Sequence, residues 1–213
     1  MDRRSYVTPA LIDTALYVVY NSLKQNSKNT QREGLMTNNT ADYKEKYKKY
    51  IEIAQQMGAT DAVPFRLSDI CFDSRTLLKC MFGCPDWGKN HTCPSRPGSP
   101  TMNEYREMFS RYSGGVIIHT HDKRTSQRIS FEIEKEAFLD GYYFAISLSD
   151  CSLCSTCAAV TGEPCRNPRM ARPAFHSVGI DVFKTVHQLG LPLRTLSRPD
   201  EEEQNWYSAV FID

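Results

Sequence analysis

The 213-residue chain has no long apolar run, no excess of charge of either sign, and no cysteine outside two short stretches. Its longest hydrophobic segment, Ala10 to Tyr20, is broken by Asp13 and falls short of the roughly 18–20 residues that a membrane helix needs. The same segment lacks the small-residue cleavage site of a secretory signal. No membrane span is expected, and the cytoplasm is the expected location. With 26 basic and 25 acidic residues the net charge is +1. That balance gives no global attraction to nucleic acid or to an anionic surface, so no nucleic-acid partner is expected. There is no P-loop, dinucleotide fingerprint or nucleophile elbow, and the enzyme classes built on those motifs are set aside.

What is present is eight cysteines in two groups. The first holds Cys71, Cys80, Cys84 and Cys93. The second holds Cys151, Cys154, Cys157 and Cys165. In a reducing compartment such spacing favours metal ligation over disulfides, and four-bridge scaffolds are usually shorter than about 100 residues. Thiolates are soft ligands suited to zinc and to iron–sulfur clusters. Zinc ribbons use two separated Cys-x2-Cys pairs, whereas Cys151-x2-Cys154-x2-Cys157 puts three thiols on one tight loop. That is the opening of a bacterial ferredoxin run, although the fourth cysteine, Cys165, comes later and is followed by Arg166 rather than proline. In the first group Cys80-x3-Cys84 begins like a radical-SAM motif, but the third cysteine arrives too late for that class. The first group therefore either holds a cluster on three thiolates with one exchangeable iron, or is completed by Cys71 or His91. Cys84 and Cys93 both precede proline, so a crossed pairing between the groups is open as well.

The periodicity favours a single α/β or α+β sheet domain with flanking helices and two cysteine-rich metal loops. Residues 1–40 read as an N-terminal extension, partly disordered or forming a docking helix over 7–24. Residues 41–213 read as the cysteine-rich metal-binding domain. Within it a helix is expected from Tyr43 to Met57, an edge strand at 62–66 because Pro64 cannot donate to a ladder, and a Gly/Pro-rich loop from Cys80 to Pro100. A helix follows from Thr101 to about Tyr112, opened by a Thr101–Glu104 capping box, and Gly114-Gly115 ends it. Then come a strand at 116–119, a helix at 126–140, a strand at 142–148, a helix at 174–189, and strands at 193–196 and 206–212.

The stretches Lys79–Lys89, Thr92–Ser95, Glu136–Tyr143, Asp150–Cys157, Cys165-Arg166 and Ala171–Val182 together resemble a family of cysteine-rich predicted metal-binding proteins. That family is a domain of unknown function met mainly in archaea and anaerobic bacteria. The resemblance covers about residues 42–213 and implies metal ligands at Cys80, Cys84, Cys93, Cys151, Cys154, Cys157 and Cys165, leaving Cys71 outside the motif. It supplies a metal rather than a reaction.

The functional expectation is a cytoplasmic iron–sulfur protein with one or two [4Fe-4S] clusters, serving electron transfer or reductive activation of a redox partner protein. The alternatives are a zinc-stabilised binding module and an enzyme with an open iron site on the first group. Lys79, Lys89, Arg96, Arg166, Arg169 and Arg172 are placed to offset a cluster's negative charge, or are ordinary surface charges. Trp87 is a candidate shield for a cluster. His176 with Asp181 could move protons, but capping or packing is the plainer reading; His119 and His121 read as a solvated strand end, and Glu132, Glu134 and Glu136 as a solvated helix face.

Overall fold

The computed structural model describes residues 43–198 and 202–213; the expected extension over 1–40 and its helix at 7–24 lie outside them. The unit Lys46–Asp213 is an α+β domain on one antiparallel sheet. Strands β1 (Asp61–Arg66), β2 (Gly114–Thr120), β3 (Ile146–Leu148) and β4 (Trp206–Phe211) stand in the order β1-β2-β4-β3. Both outer strands are therefore special: β1 carries Pro64, as its edge place requires, and β3 has three residues.

Strand alternation divides the side chains between two faces. The register pairs Phe65 with Gly115 and Gly115 with Phe211, and Ile117 with Ala209, which also pairs Leu148. These residues share a face and join Phe109 of helix α3 (Met102–Phe109), Val186 of α5 (Val182–Gln188), and Phe175, Val178 and Ile180 in one buried cluster. Each such side chain, fully buried, contributes about 1.5–3 kcal/mol. At the crowded centre Phe211 meets Phe65, Phe109 and Tyr112 at 4.9, 4.6 and 5.5 Å between ring centroids. Gly115 makes room here, since a Cβ on it would collide with the carbonyl of Val210. The opposite face carries Val116, Ile118, Ser208 and Val210, covered by α4 (Lys123–Leu139) through Ile129, Ile133 and Ala137, with α1 (Lys48–Gln56) packed beside it.

Helix ends follow local chemistry. Glu104 accepts from the Thr101 amide at 2.7 Å while its own amide donates to Thr101 Oγ1, which is the expected capping box. Asp122 caps α4 by accepting from the Thr125 amide at 2.7 Å, and Asp181 caps α5 by accepting from the Lys184 amide at 3.0 Å, so the capping reading of Asp181 holds.

Several expectations are corrected. Cys80 is not in a loop: it sits in α2 (Thr76–Gly83). Gly114 and Gly115 lie inside β2, where the missing side chain of Gly115 lets the sheet pack closely. The strand expected at 142–148 shrinks to β3, because Gly141 takes φ +97° and the Ala145 amide then turns back to Tyr142 O. The helix expected at 174–189 is split. A 3-10 turn at His176–Val178 ends on left-handed Gly179, and Ile180 bridges to Phe72 before α5 begins. Residues 193–196 form no strand; the carbonyls of Pro192 and Leu193 accept from Tyr207 Oη and His187 Nε2 instead.

Candidate metal centre

The second cysteine group leaves the C-terminal end of β3 and winds through a 3-10 turn, Ala158–Thr161, that ends on left-handed Gly162. This curl brings Cys151, Cys154, Cys157 and Cys165 into the wall of one cavity of about 480 Å³. The first group contributes to the same cavity without its thiols, through Asp86, Lys89, Asn90 and His91. Its loop is a series of tight turns in which Trp87, Lys89, Cys93, Arg96 and Ser99 amides each donate three residues back. Trp87 is thereby held by its backbone to Cys84.

Two contacts tie the loops together. The Cys157 thiol faces Asn90 Oδ1 at 3.9 Å, and His91 Nε2 meets the Glu163 carbonyl at 2.8 Å. Asn90 is itself fixed, since Oδ1 accepts from the Thr92 amide and hydroxyl at 3.0 Å each. Arg96 reaches the other ring nitrogen of His91, so His91 positions the loops rather than offering a free ligand atom.

The first-group thiols share an environment. Burial, followed by the neighbouring Cys84 and Cys93 and then Asp150, pushes the Cys80 thiol up to about 11. Asp150, which adjoins Cys151 in the chain, thus acts on a thiol of the first group. Individual sulfurs already receive donors. The Gly88 amide and Ser95 hydroxyl donate to Cys93 Sγ at 3.4 and 3.0 Å, and Asn167 Nδ2 donates to Cys154 Sγ at 3.2 Å. Donors aimed at sulfur orient a ligand and tune a bound metal.

Cys71 stands apart. Its amide donates to Thr185 Oγ1 at 3.0 Å, its thiol to Gln188 Oε1 at 2.7 Å, and its carbonyl accepts from the Asp181 amide. It pins the chain to α5, and burial raises its thiol pKa.

Every cysteine is a free thiol. Among the described residues, no three Cys, His, Asp or Glu side chains stand together in a metal-binding geometry. The donor set nevertheless fits a thiophilic metal: four thiols on one cavity wall, with Lys89, Lys123, Arg124 and Arg166 around it to balance thiolate charge. Arg172, Glu134 and His119 play other parts. Arg172 is spent on Glu134, which is no solvated residue but largely buried. His119 is not solvated either: it is 1% exposed, held between Asp61 and Asn205 at 2.7 Å each and stacked on Tyr207.

Asn90, Ser95 and Asn167 escape a cysteine-centred reading. The first two lie within three positions of Cys93 and Asn167 lies just after Cys165, so all three fall to a search for short polar residues beside ligands; only the pairing of Asn167 with Cys154, 13 positions away, gives no local signal.

Residues 63–212 match the model of a family described as Predicted metal-binding protein (DUF2284). No curated protein and no solved structure matches the chain.

Proposed function

The chain belongs to this family of predicted metal-binding proteins, and from that premise we propose that it is an iron–sulfur protein that passes electrons to a partner. The observation that carries the reading is the second cysteine group: a Cys-x2-Cys-x2-Cys loop that lines one cavity together with Cys165. On this reading Cys151, Cys154, Cys157 and Cys165 hold a [4Fe-4S] cluster, and Cys80, Cys84 and Cys93 hold a second with one iron site left open. A bound cluster supplies one-electron transfer. The chain's own residues set the conditions for it. Asn167 donates to a ligand sulfur in one group, and Ser95 and Gly88 donate to one in the other. Such donors, with the surrounding basic side chains, raise a reduction potential.

The exposed side chains around the first group suit a transient protein contact. Leu78, Met81 and Phe82 of α2 and Cys84 after it face solvent, so an electron would have a short way out to a docked redox partner.

Anaerobic purification with iron, sulfide and zinc analysis tests the reading. The expected result is brown protein with an absorbance shoulder near about 400 nm that dithionite bleaches. Colourless protein holding stoichiometric zinc sinks it and leaves a zinc-stabilised module, which chelator would unfold.

A further inference from the structure

Beside the cysteine cavity, helix α4 presents Arg124, Gln127, Arg128 and Phe131 at intervals of three and four residues, which puts them on one side of the helix. They line a second cleft of about 480 Å³, closed by Leu153 and Met170. The two clefts share Arg124, Ser152 and Leu153.

Gln127 is the informative residue. It is 3% exposed. Its Oε1 accepts twice from Ser152, from the amide at 2.8 Å and the hydroxyl at 3.0 Å. An amide N–H can only donate, so the orientation of the side chain is settled: Nε2 is the other atom, and it has no acceptor among the described residues. A buried donor without a partner is unusual in a folded protein. Flanking it, two guanidiniums add further donors and no acceptor. Glu132, which also lines the cleft, is engaged by Lys135 at 2.6 Å. The cleft thus combines donors and positive charge with the apolar side chains of Phe131, Leu153 and Met170; Arg128 also donates to the Met57 carbonyl at 3.3 Å, and Arg172 lies over the Phe131 ring.

We propose that this cleft binds a small organic oxyanion, a carboxylate or phosphate ester with an apolar body, through Arg124, Arg128 and the free amide of Gln127. Planar guanidinium forks match both oxyanions, and a cleft of this size accepts a small molecule. The ligand would lie against the Cys151–Cys154 loop, because Ser152, held by Gln127, belongs to both. The assignment stands on the donors of α4 and is independent of which metal the cysteines hold.

Calorimetric titration of the full chain, purified with its metal, tests it with two probes, phenyl phosphate and phenylacetate; whichever binds more tightly identifies the headgroup. Saturable binding of at least one is expected, weakened tenfold or more by Arg124→Gln and by Arg128→Gln. Gln127→Glu keeps an acceptor for Ser152 and replaces the free donor with negative charge, so it should abolish binding while metal and sulfide content stay at the wild-type level. No saturable binding of either probe to wild-type protein, or unchanged affinity in all three variants, would overturn the proposal. Probe binding to a protein that carries only zinc would leave it standing and remove the iron–sulfur reading instead.

Discussion

Arg172 lays its guanidinium along the carboxylate of Glu134: Nε donates to Oε2 at 2.8 Å and Nη2 reaches Oε1. The same carboxylate accepts from the Ser147 amide at 2.7 Å and the Ser147 hydroxyl at 2.6 Å. One side chain of α4 therefore holds β3, where the second cysteine loop departs, and Arg172, where the chain returns from it. Breaking a largely buried pair on one side strands the other charge. Glu134→Gln should cost about 3–5 kcal/mol in urea denaturation, and Arg172→Met introduced into that variant should restore part of the loss.

The cysteines should separate into two classes on metal analysis. Cys154→Ala or Cys157→Ala is expected to lower bound metal by at least one cluster's share, because each removes a thiol from the shared cavity. Cys71→Ala is expected to keep the full complement, its thiol being committed to Gln188. Loss of metal from the Cys71 variant would contradict the structural role assigned to it.

His176 sets an acid limit on stability. Burial lowers its pKa below the usual 6.5, outweighing Asp150 and Asp181, which pull the other way. The folded state thus favours the neutral ring, and that contribution is present above pH 6.5 and lost as pH falls through the depressed value. Asp73, held down to about 2 chiefly by Arg75, enters only in far stronger acid. The stability of wild-type protein should drop between pH 7.5 and 5.5, and His176→Gln should flatten the slope over that interval. An equal slope in both proteins would refute the assignment.

Gly115→Ala should be poorly tolerated although the position is an ordinary strand residue. The added Cβ meets backbone, the Val210 carbonyl, which cannot swing aside as a side chain can. Overpacking of this kind costs about 1–3 kcal/mol, visible as a lower Tm with unchanged metal content.

Much of the fold was legible because it rests on local chemistry. The Thr101–Glu104 box and the edge place of Pro64 appear as written in the sequence, and of the helix face read as Ile129, Ile133, Ala137 and Phe138 the first three are buried while Phe138 stays exposed. What was not legible depends on contacts distant in the chain. Ile180 pairs with Phe72 instead of continuing a helix. Glu134 looks like its solvated neighbours until Arg172 arrives, and His119 looks exposed until Asn205 and Tyr207 cover it. At the candidate site, spacing marks the thiols but leaves Cys71 open as a ligand; its hydrogen bonds to Thr185 and Gln188 set it apart only in the fold. Asn90 and Asn167 at the cysteine loops, and Gln127 in the neighbouring cleft, leave no periodic mark, because single polar residues carry no period.

The outer strands of the sheet bear on how the protein behaves when concentrated. A sheet margin with a row of idle amides and carbonyls invites another chain to extend it. Here one margin is interrupted by an imide nitrogen at Pro64 and the other is three residues long. Neither offers a ladder that a neighbour could continue, so the domain can display Phe82 and Phe144, 81% and 85% exposed, without also supplying the template for cross-β growth.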